Sequence, residues 1–259
     1  MSDLRRALTQ LSADLKIFRR NPAALFFTAI LPVIFLSMFV GIFGNQRIEQ
    51  YDNIRASTLY VPAFIALAVV SAAFVALAMG FTRMRENGVL KRVRATPVPP
   101  WIVFAGRVGT SIVTAVIVTA LLMAIGGSVF GVTLPTHTLP GLLSALIVGA
   151  ACFCALGIAY TRVIPSEDAA PAMTNAVVLP LYFVSGVFVP FRQLPDGLQS
   201  VAQLLPVQPF VDALRIAFDP HTVGSGIAGH DLVKLAIWGF GGLIFAVRFF
   251  VWTPRQEAG

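Results

Sequence analysis

An all-α polytopic membrane protein is expected from three features of this chain. Hydrophobic residues fill 57% of its 259 positions and charged residues only 12%. The mean hydropathy is +0.81, and the apolar residues form long uncharged windows instead of the periodic faces of a soluble core. Such a composition cannot wrap a polar surface around an apolar interior. In hydrocarbon a helix satisfies its own backbone, and about 20 apolar residues suffice to cross.

The elements follow in order. Leu4, Leu8, Leu11, Leu15 and Phe18 share one helical stripe, with Arg5, Arg6, Thr9, Lys16 and Arg19 off it. This predicts an N-terminal interfacial amphipathic helix over 1–20 on the inner leaflet, with a frayed tail as the alternative. A cleaved signal is not expected, because the charged stretch is long and no small-residue cleavage pattern follows the apolar run. Six transmembrane helices are expected. The first, 25–43, is entered through Asn21-Pro22, where Asn caps and Pro suits the first turn. The second spans 59–81. No charged residue occurs from Val108 to Thr161, a stretch too long for one helix, and Pro135 and Pro140 around His137 divide it into 108–130 and 141–161. The fifth and sixth span 170–189 and 232–252, with Lys234 and Arg248 near the ends of the last, able to snorkel to opposite interfaces.

Loop charge orients these spans, because cytoplasmic loops retain Lys and Arg. Arg5, Arg6, Lys16, Arg19 and Arg20 precede the first span, and Arg83, Arg85, Lys91, Arg92, Arg94 and Arg107 follow the second. Both segments, and the C-terminus with Arg255, are expected in the cytoplasm. The first loop balances Arg47 and Arg55 with Glu49 and Asp52, the third has no charge, and the fifth carries Arg192 and Arg215. These face outside. The exterior stretch from Phe191 to Asp231 holds two apolar-periodic pieces separated by Pro206 and Pro209, predicting re-entrant half-helices over 195–218; a plain surface loop is the alternative. Leu198, Val201, Leu204 and Leu205 form one face of the first piece. Phe210, Leu214, Ala217 and Phe218 form one face of the second, with Asp212 and Arg215 spaced to pair across a turn.

Several function classes are disfavoured. The net charge of +7 concentrates in loops beside the bilayer, which suits anionic lipid headgroups and not nucleic acid. No GxxxxGK[ST] phosphate loop occurs. Gly126, Gly127 and Gly131 read as sites of close helix packing. His137, His221 and His230 lack metal-site spacing, and Cys152 and Cys154 read as small packing residues that point to different sides of a helix. With almost no ionisable group in the spans, the chain is not expected to be an enzyme.

What remains is transport or a structural role, and the segment from Arg83 to Trp101 bears on the choice. A cytoplasmic helix is expected over 84–96, with Val89, Leu90 and Val93 on one side and Arg85, Lys91, Arg92 and Arg94 around it. Pro97, Pro99 and Pro100 stop it, and Trp101 suits the headgroup level. On physical grounds alone, a solvated basic loop fits equally well.

The run Arg85-Glu-Asn-Gly-Val-Leu-Lys-Arg-Val-Arg-Ala-Thr-Pro-Val, with Gly106-Arg107 following, resembles the cytoplasmic signature of ABC-2 type transporter permeases. The likeness extends to Arg19-Arg-Asn-Pro22 before the first span and to Leu205-Pro-Val-Gln-Pro-Phe-Val-Asp-Ala-Leu-Arg215. It is nearest the drug-efflux branch related to daunorubicin-resistance permeases. The resemblance implies a type V ABC exporter-like architecture in a single domain over 1–259. It implies a permease subunit in the plasma membrane (the inner or cytoplasmic membrane of a prokaryote), paired with a second permease, identical or homologous. Two copies of a separate ATPase would bind ATP and Mg; this chain is expected to bind no cofactor, metal or nucleic acid. The 84–96 helix becomes a coupling helix, with Arg85, Glu86, Gly88, Leu90, Lys91, Arg92, Arg94, Thr96 and Pro97 at the ATPase interface. Leu205, Pro206, Pro209, Asp212 and Arg215 form an exterior gate. Gly88, a weak helix former, either allows close backbone approach or is simply tolerated. Few buried charges point to amphipathic or apolar cargo, a drug, antibiotic or lipid, with Phe35, Phe39, Phe74, Phe183 and Phe188 lining a path or merely packing. Export of lipid, polysaccharide or another envelope component is the alternative within the family, and a non-transport membrane scaffold the alternative outside it.

Overall fold

The computed structural model describes residues 12, 20, 22, 26–43, 47–48, 54–95, 101–189, 191 and 194–252. The 1–20 helix (apart from Ser12 and Arg20), the Asn21 cap and Thr96 to Pro100 lie outside these residues. A π-helical turn, Phe26–Ile30, leads into α1 (Leu31–Phe43). Two short strands, β1 (Arg47–Ile48) and β2 (Ile54–Arg55), pair antiparallel with Arg47 opposite Arg55, a small departure from an all-helical chain. Then α2 (Ala56–Val70), a second π turn (Ser71–Val75) and α3 (Ala76–Glu86) form one continuous helix. The remaining elements are α4 (Val89–Arg94), α5 (Trp101–Phe130), α6 (Leu139–Tyr160), α7 (Ala169–Val184), α8 (Asp196–Leu204), α9 (Val207–Phe218) and α10 (Gly229–Phe249).

Among the described residues, four helices are long and apolar enough to cross a membrane: Ala56–Glu86, Ile102–Phe130, Leu139–Tyr160 and Gly229–Phe249. Thr28–Ile42 and Ala169–Val184 are apolar but shorter. The chain is a predominantly helical, multi-pass membrane protein. Its axis is the helix Ala56–Glu86. All of α2 is buried, against α1, α5, α6 and α9, and a helix apolar on every side requires such neighbours. At the periphery, α10 packs on α6 and turns Val233, Ile237, Phe240 and Val247 outward.

Several boundaries differ from those expected. The second helix runs on to Glu86, past the expected end at 81, and α5 starts at Trp101, seven residues before Val108. The fifth helix stops at Val184 instead of 189, because the chain turns at Ser185 and at Gly186, whose φ is +76°. The last is displaced to Gly229–Phe249 from 232–252. Gly131 lies just past the end of α5 with φ +65°. Hydropathy marks how much chain is apolar, whereas backbone stops depend on turn residues and on polar helix that projects from the bilayer.

The elements meet at two ends. At one lie the α3–α4 corner, the turn between α6 and α7 and the exit of α10, joined by Arg85, Arg83 and Arg94. At the other lie β2, the α5–α6 turn, α8, α9 and the approach to α10, joined through Thr138 to Ala217 and Gly141 to Ser225.

Candidate functional site

Helix Ala56–Glu86 has 31 residues, about 46 Å at 1.5 Å each against about 30 Å of hydrocarbon, so it must project. Its last turn carries Arg83, Arg85 and Glu86, whereas 56–82 carries no charge, so the basic end is the one that projects. The helix is stopped by Asn87, whose N–H donates to Arg83 O at 3.0 Å, and by Gly88. Gly88 has φ +65°, the left-handed conformation that ends helices and disfavours a Cβ. A Cβ there would meet nothing within 4 Å. Within this chain the glycine therefore serves backbone rotation at the end of the helix.

The expected 84–96 helix is thus two pieces: Met84 to Glu86 close α3, and only Val89–Arg94 forms α4. Leu90 is fully buried and anchors the short helix. Lys91, Arg92 and Arg94 are exposed, and the Arg94 guanidinium lies 5.9 Å from the Trp252 ring centroid, within cation–π range. Trp252 belongs to an aromatic cluster at this end. Phe81 stacks on Phe104 at 4.8 Å, and Phe250 and Trp252 meet Phe104 edge-on at 5.1 and 5.8 Å.

Arg85 points the other way. Expected at the ATPase interface, it is 2% exposed. Its Nη1 donates to Thr161 O and its Nη2 to Ile164 O, both at 2.8 Å, while Nε donates to Glu86 Oε1 at 2.6 Å. Thr161 closes α6, where terminal carbonyls lack helical partners, and the planar guanidinium fills that need. Glu86, 11% exposed at its side chain, neutralises the buried cation. Outside this core, Arg83 lies 3.2 Å from Glu167 Oε1, and Asn87 Nδ2 donates to Glu167 Oε2 at 3.0 Å. Thr96 and Pro97 lie outside the described residues.

At the opposite end, Pro206 precedes α9 and Pro209 falls in its first turn, where a missing N–H costs little. Both prolines are buried and Leu205 is half-buried. Phe210, Leu214, Ala217 and Phe218 face the core. Phe210 lies against Gly149 of α6, where a Cβ would stand 2.3 Å from its ring. Gln208 Nε2 donates to Asp212 Oδ2 at 2.7 Å, and Arg215 approaches Asp212 at 3.8 Å while donating from Nη2 to Gly186 O at 2.6 Å. Burial pushes the Asp212 carboxyl up from its ordinary value, with Arg215 drawing it back. The apolar face of α8 does not turn inward: Leu198, Val201 and Leu204 are 44, 53 and 73% exposed, while Ala202 on the other side is buried. Trp238 Nε1 of α10 donates to Leu204 O at 2.9 Å and holds the end of α8.

The aromatic residues divide. Phe35 and Phe39 join Phe64, with Phe39–Phe64 at 5.4 Å, and Phe188 reaches Phe35 at 5.6 Å and Phe183 at 5.1 Å. Phe74 lies elsewhere, 5.4 Å from Tyr160. Sequence reasoning missed Tyr182, whose hydroxyl donates to Leu67 O at 3.1 Å and lies 3.3 Å from Ser71 Oγ. It braces the start of the second π turn, and nothing in Ser71-Ala-Ala-Phe-Val75 signals that irregularity.

Comparison with known proteins agrees with a transport role. The family model described as ABC-2 type transporter matches residues 7–218. The inner membrane transport permease YadH of Escherichia coli strain K12 is 26% identical over 236 residues, covering 89% of this chain and 88% of its own. The putative transport permease YvfS of Bacillus subtilis strain 168 is 25% identical over 198 residues, 75% and 78% of the two chains. The probable multidrug ABC transporter permease YbhR of Escherichia coli strain K12 is 20% identical over 164 residues, 63% of this chain and 44% of that one. With a family match over most of its length and relatives named as permeases, this chain belongs to the ABC-2 type transporter family.

Proposed function

We propose that this chain is the membrane subunit of an ATP-driven exporter, with six spans, both termini in the cytoplasm and the basic end facing an ATPase. Two copies of that ATPase serve a pair of permeases, identical or homologous. ATP-driven closure of the ATPase pair pushes α4 and shifts the helices between inward-facing and outward-facing states, which requires a two-state element biased by nucleotide. The observation that carries this reading is α4 itself: a six-residue helix set off by a left-handed glycine, anchored by Leu90 and presenting Lys91, Arg92 and Arg94 outward. A basic loop needed only for topology requires neither the anchor nor the turn. We assign Thr96 and Pro97, which lie outside the described residues, to the ATPase contact by the family resemblance alone, and Leu205, Pro206, Pro209, Asp212 and Arg215 to the outer exit.

The cargo is amphipathic or apolar, a drug, antibiotic or lipid. In the long helices the charged groups sit near the ends, at Arg83, Arg85, Glu86, Arg107, Asp231, Lys234 and Arg248, leaving aromatic and aliphatic walls between. The rings of Phe35, Phe39, Phe183 and Phe188 are the candidate lining, and the likeness to a probable multidrug permease favours the same class.

Co-purification from native membrane tests the role. Wild-type permease is expected to bring down a nucleotide-binding subunit. A variant with Lys91, Arg92 and Arg94 all changed to Glu is expected to insert normally and lose that subunit. Wild type without an ATPase partner, or a variant that keeps it, refutes the coupling assignment. Reconstitution of the complex in proteoliposomes with fluorescent phospholipid or cationic dye then separates lipid from drug export.

A further inference from the structure

Among the described residues Arg85 is the only buried charged side chain. It stands three positions before the Gly88 turn, on the rigid end of α3, and holds carbonyls of a different segment, at Thr161 and Ile164. That segment leads within five residues from Ile164 to α7, which starts at Ala169. At the other end of α7 a second arginine repeats the arrangement, with Arg215 of α9 donating to Gly186 O at 2.6 Å. Both ends of α7 are therefore flanked by guanidinium-to-carbonyl bonds reaching in from neighbouring elements. Between them α7 is short and contains Pro180.

We propose that Arg85 is a positioning residue that carries displacement of α4 into α7, resting on the coupling role above only for the source of the push. The guanidinium joins the α3–α4 corner and the turn at 161–165 into one body. A load that α4 passes to the end of α3 then moves the base of α7 instead of being lost between α3 and the 161–165 turn. Arginine is needed because two carbonyls at 2.8 Å are met by one planar fork, which a lysine ammonium on a flexible stem does not reproduce. The exposed contact of Arg83 with Glu167 spans the same gap but is screened by water and contributes little.

The test uses the permease with its co-purified ATPase in nanodiscs, with Cys152 and Cys154 changed to Ala. One nitroxide pair, at Val89→Cys and Asp168→Cys, reports the proposed joint; Val89 is 37% exposed and outside the basic face. A reference pair, at Val89→Cys and Val247→Cys, reports motion of α4 against α10. On trapping with ATP and vanadate, the reference distance is expected to change while the 89–168 distance holds. In Arg85→Gln the 89–168 distance is expected to change as well, with the ATPase still bound. An 89–168 distance that changes as much as the reference in wild type overturns the proposal. A missing ATPase, or an unmoved reference pair, counts against the coupling reading instead.

A second measurement needs no partner. Amide hydrogen exchange of the permease alone is expected to accelerate together in 89–94 and 161–168 in Arg85→Gln, and in the same direction in Arg85→Lys. Glu167→Gln is expected to leave both segments unchanged. Acceleration confined to one segment, or equal acceleration in Glu167→Gln, overturns the proposal.

Discussion

Replacing Gly149 by Ala tests whether α9 is seated on α6 as described. A Cβ at this position stands 2.3, 2.5 and 3.0 Å from Cε2, Cδ2 and Cζ of Phe210. Ordinary carbon contacts begin near 3.5 Å, so the ring must withdraw by about 1.2 Å. It has little room, because Phe210 is fully buried and its other neighbour, Phe153, lies with its centroid 5.5 Å away. Overpacking of this kind costs about 1–3 kcal/mol. Removing the ring with Phe210→Ala leaves a cavity and costs about 3–5 kcal/mol. In the double variant the new methyl enters the vacated space, so the combined cost should fall short of the sum of the two single-variant costs by about 0.5–3 kcal/mol. Titration of the purified protein with SDS in mixed micelles, followed by tryptophan fluorescence, gives the four stabilities of the cycle. A neutral Gly149→Ala, or costs that add within about 0.5 kcal/mol, would show that Phe210 does not rest on Gly149.

Three further outcomes are expected. Gly88→Ala should destabilise the α3–α4 corner by about 1–2 kcal/mol and Gly88→Asn by less, since a left-handed residue tolerates Asn better than Ala and no contact is at stake; SDS titration ranks the two. Tyr182→Phe should lower stability by about 0.5–1.5 kcal/mol through loss of the bond to Leu67 O, with faster amide exchange confined to the flanks of 71–75. On the proposed coupling role, binding of an ATPase should weaken as ionic strength rises, because Lys91, Arg92 and Arg94 are exposed and screened by salt; binding measured across a salt series checks it.

Residues whose role is local could be read directly. Pro135 lies in the break between α5 and α6 and Pro140 in the first turn of α6, and the spacing of Phe210, Leu214, Ala217 and Phe218 marks the buried face of α9. Residues whose role depends on another segment could not. Arg85 looks like its basic neighbours in the chain, and its inward direction is decided by carbonyls some eighty positions later. The apolar side of α8 was legible as a stripe, but periodicity cannot say whether the stripe meets this chain or something beyond it. Gly88 was visible as a poor helix former, yet its left-handed backbone appears only once α3 is known to run through Glu86. The π turn at Ser71–Val75 left no mark at all, because its residues are ordinary and its brace, Tyr182, lies far along the chain.

That turn changes what length means in the central helix. An α-helix rotates about 100° per residue, and a π turn accommodates one residue beyond the regular count. Deleting one residue between Ser71 and Val75 would let the turn close into regular α-helix while α2 and α3 keep their bearings, because the residue removed is the surplus one. The same deletion in the regular part of α2, between Phe64 and Leu67, would instead swing Phe64 by about 100° against the rest of the helix and take it from Phe39. The turn acts as an angular spacer: the half that meets α1 and α9 and the half that leads to the basic corner can each keep their own bearing, and a one-residue deletion here should do less harm than one elsewhere in the helix.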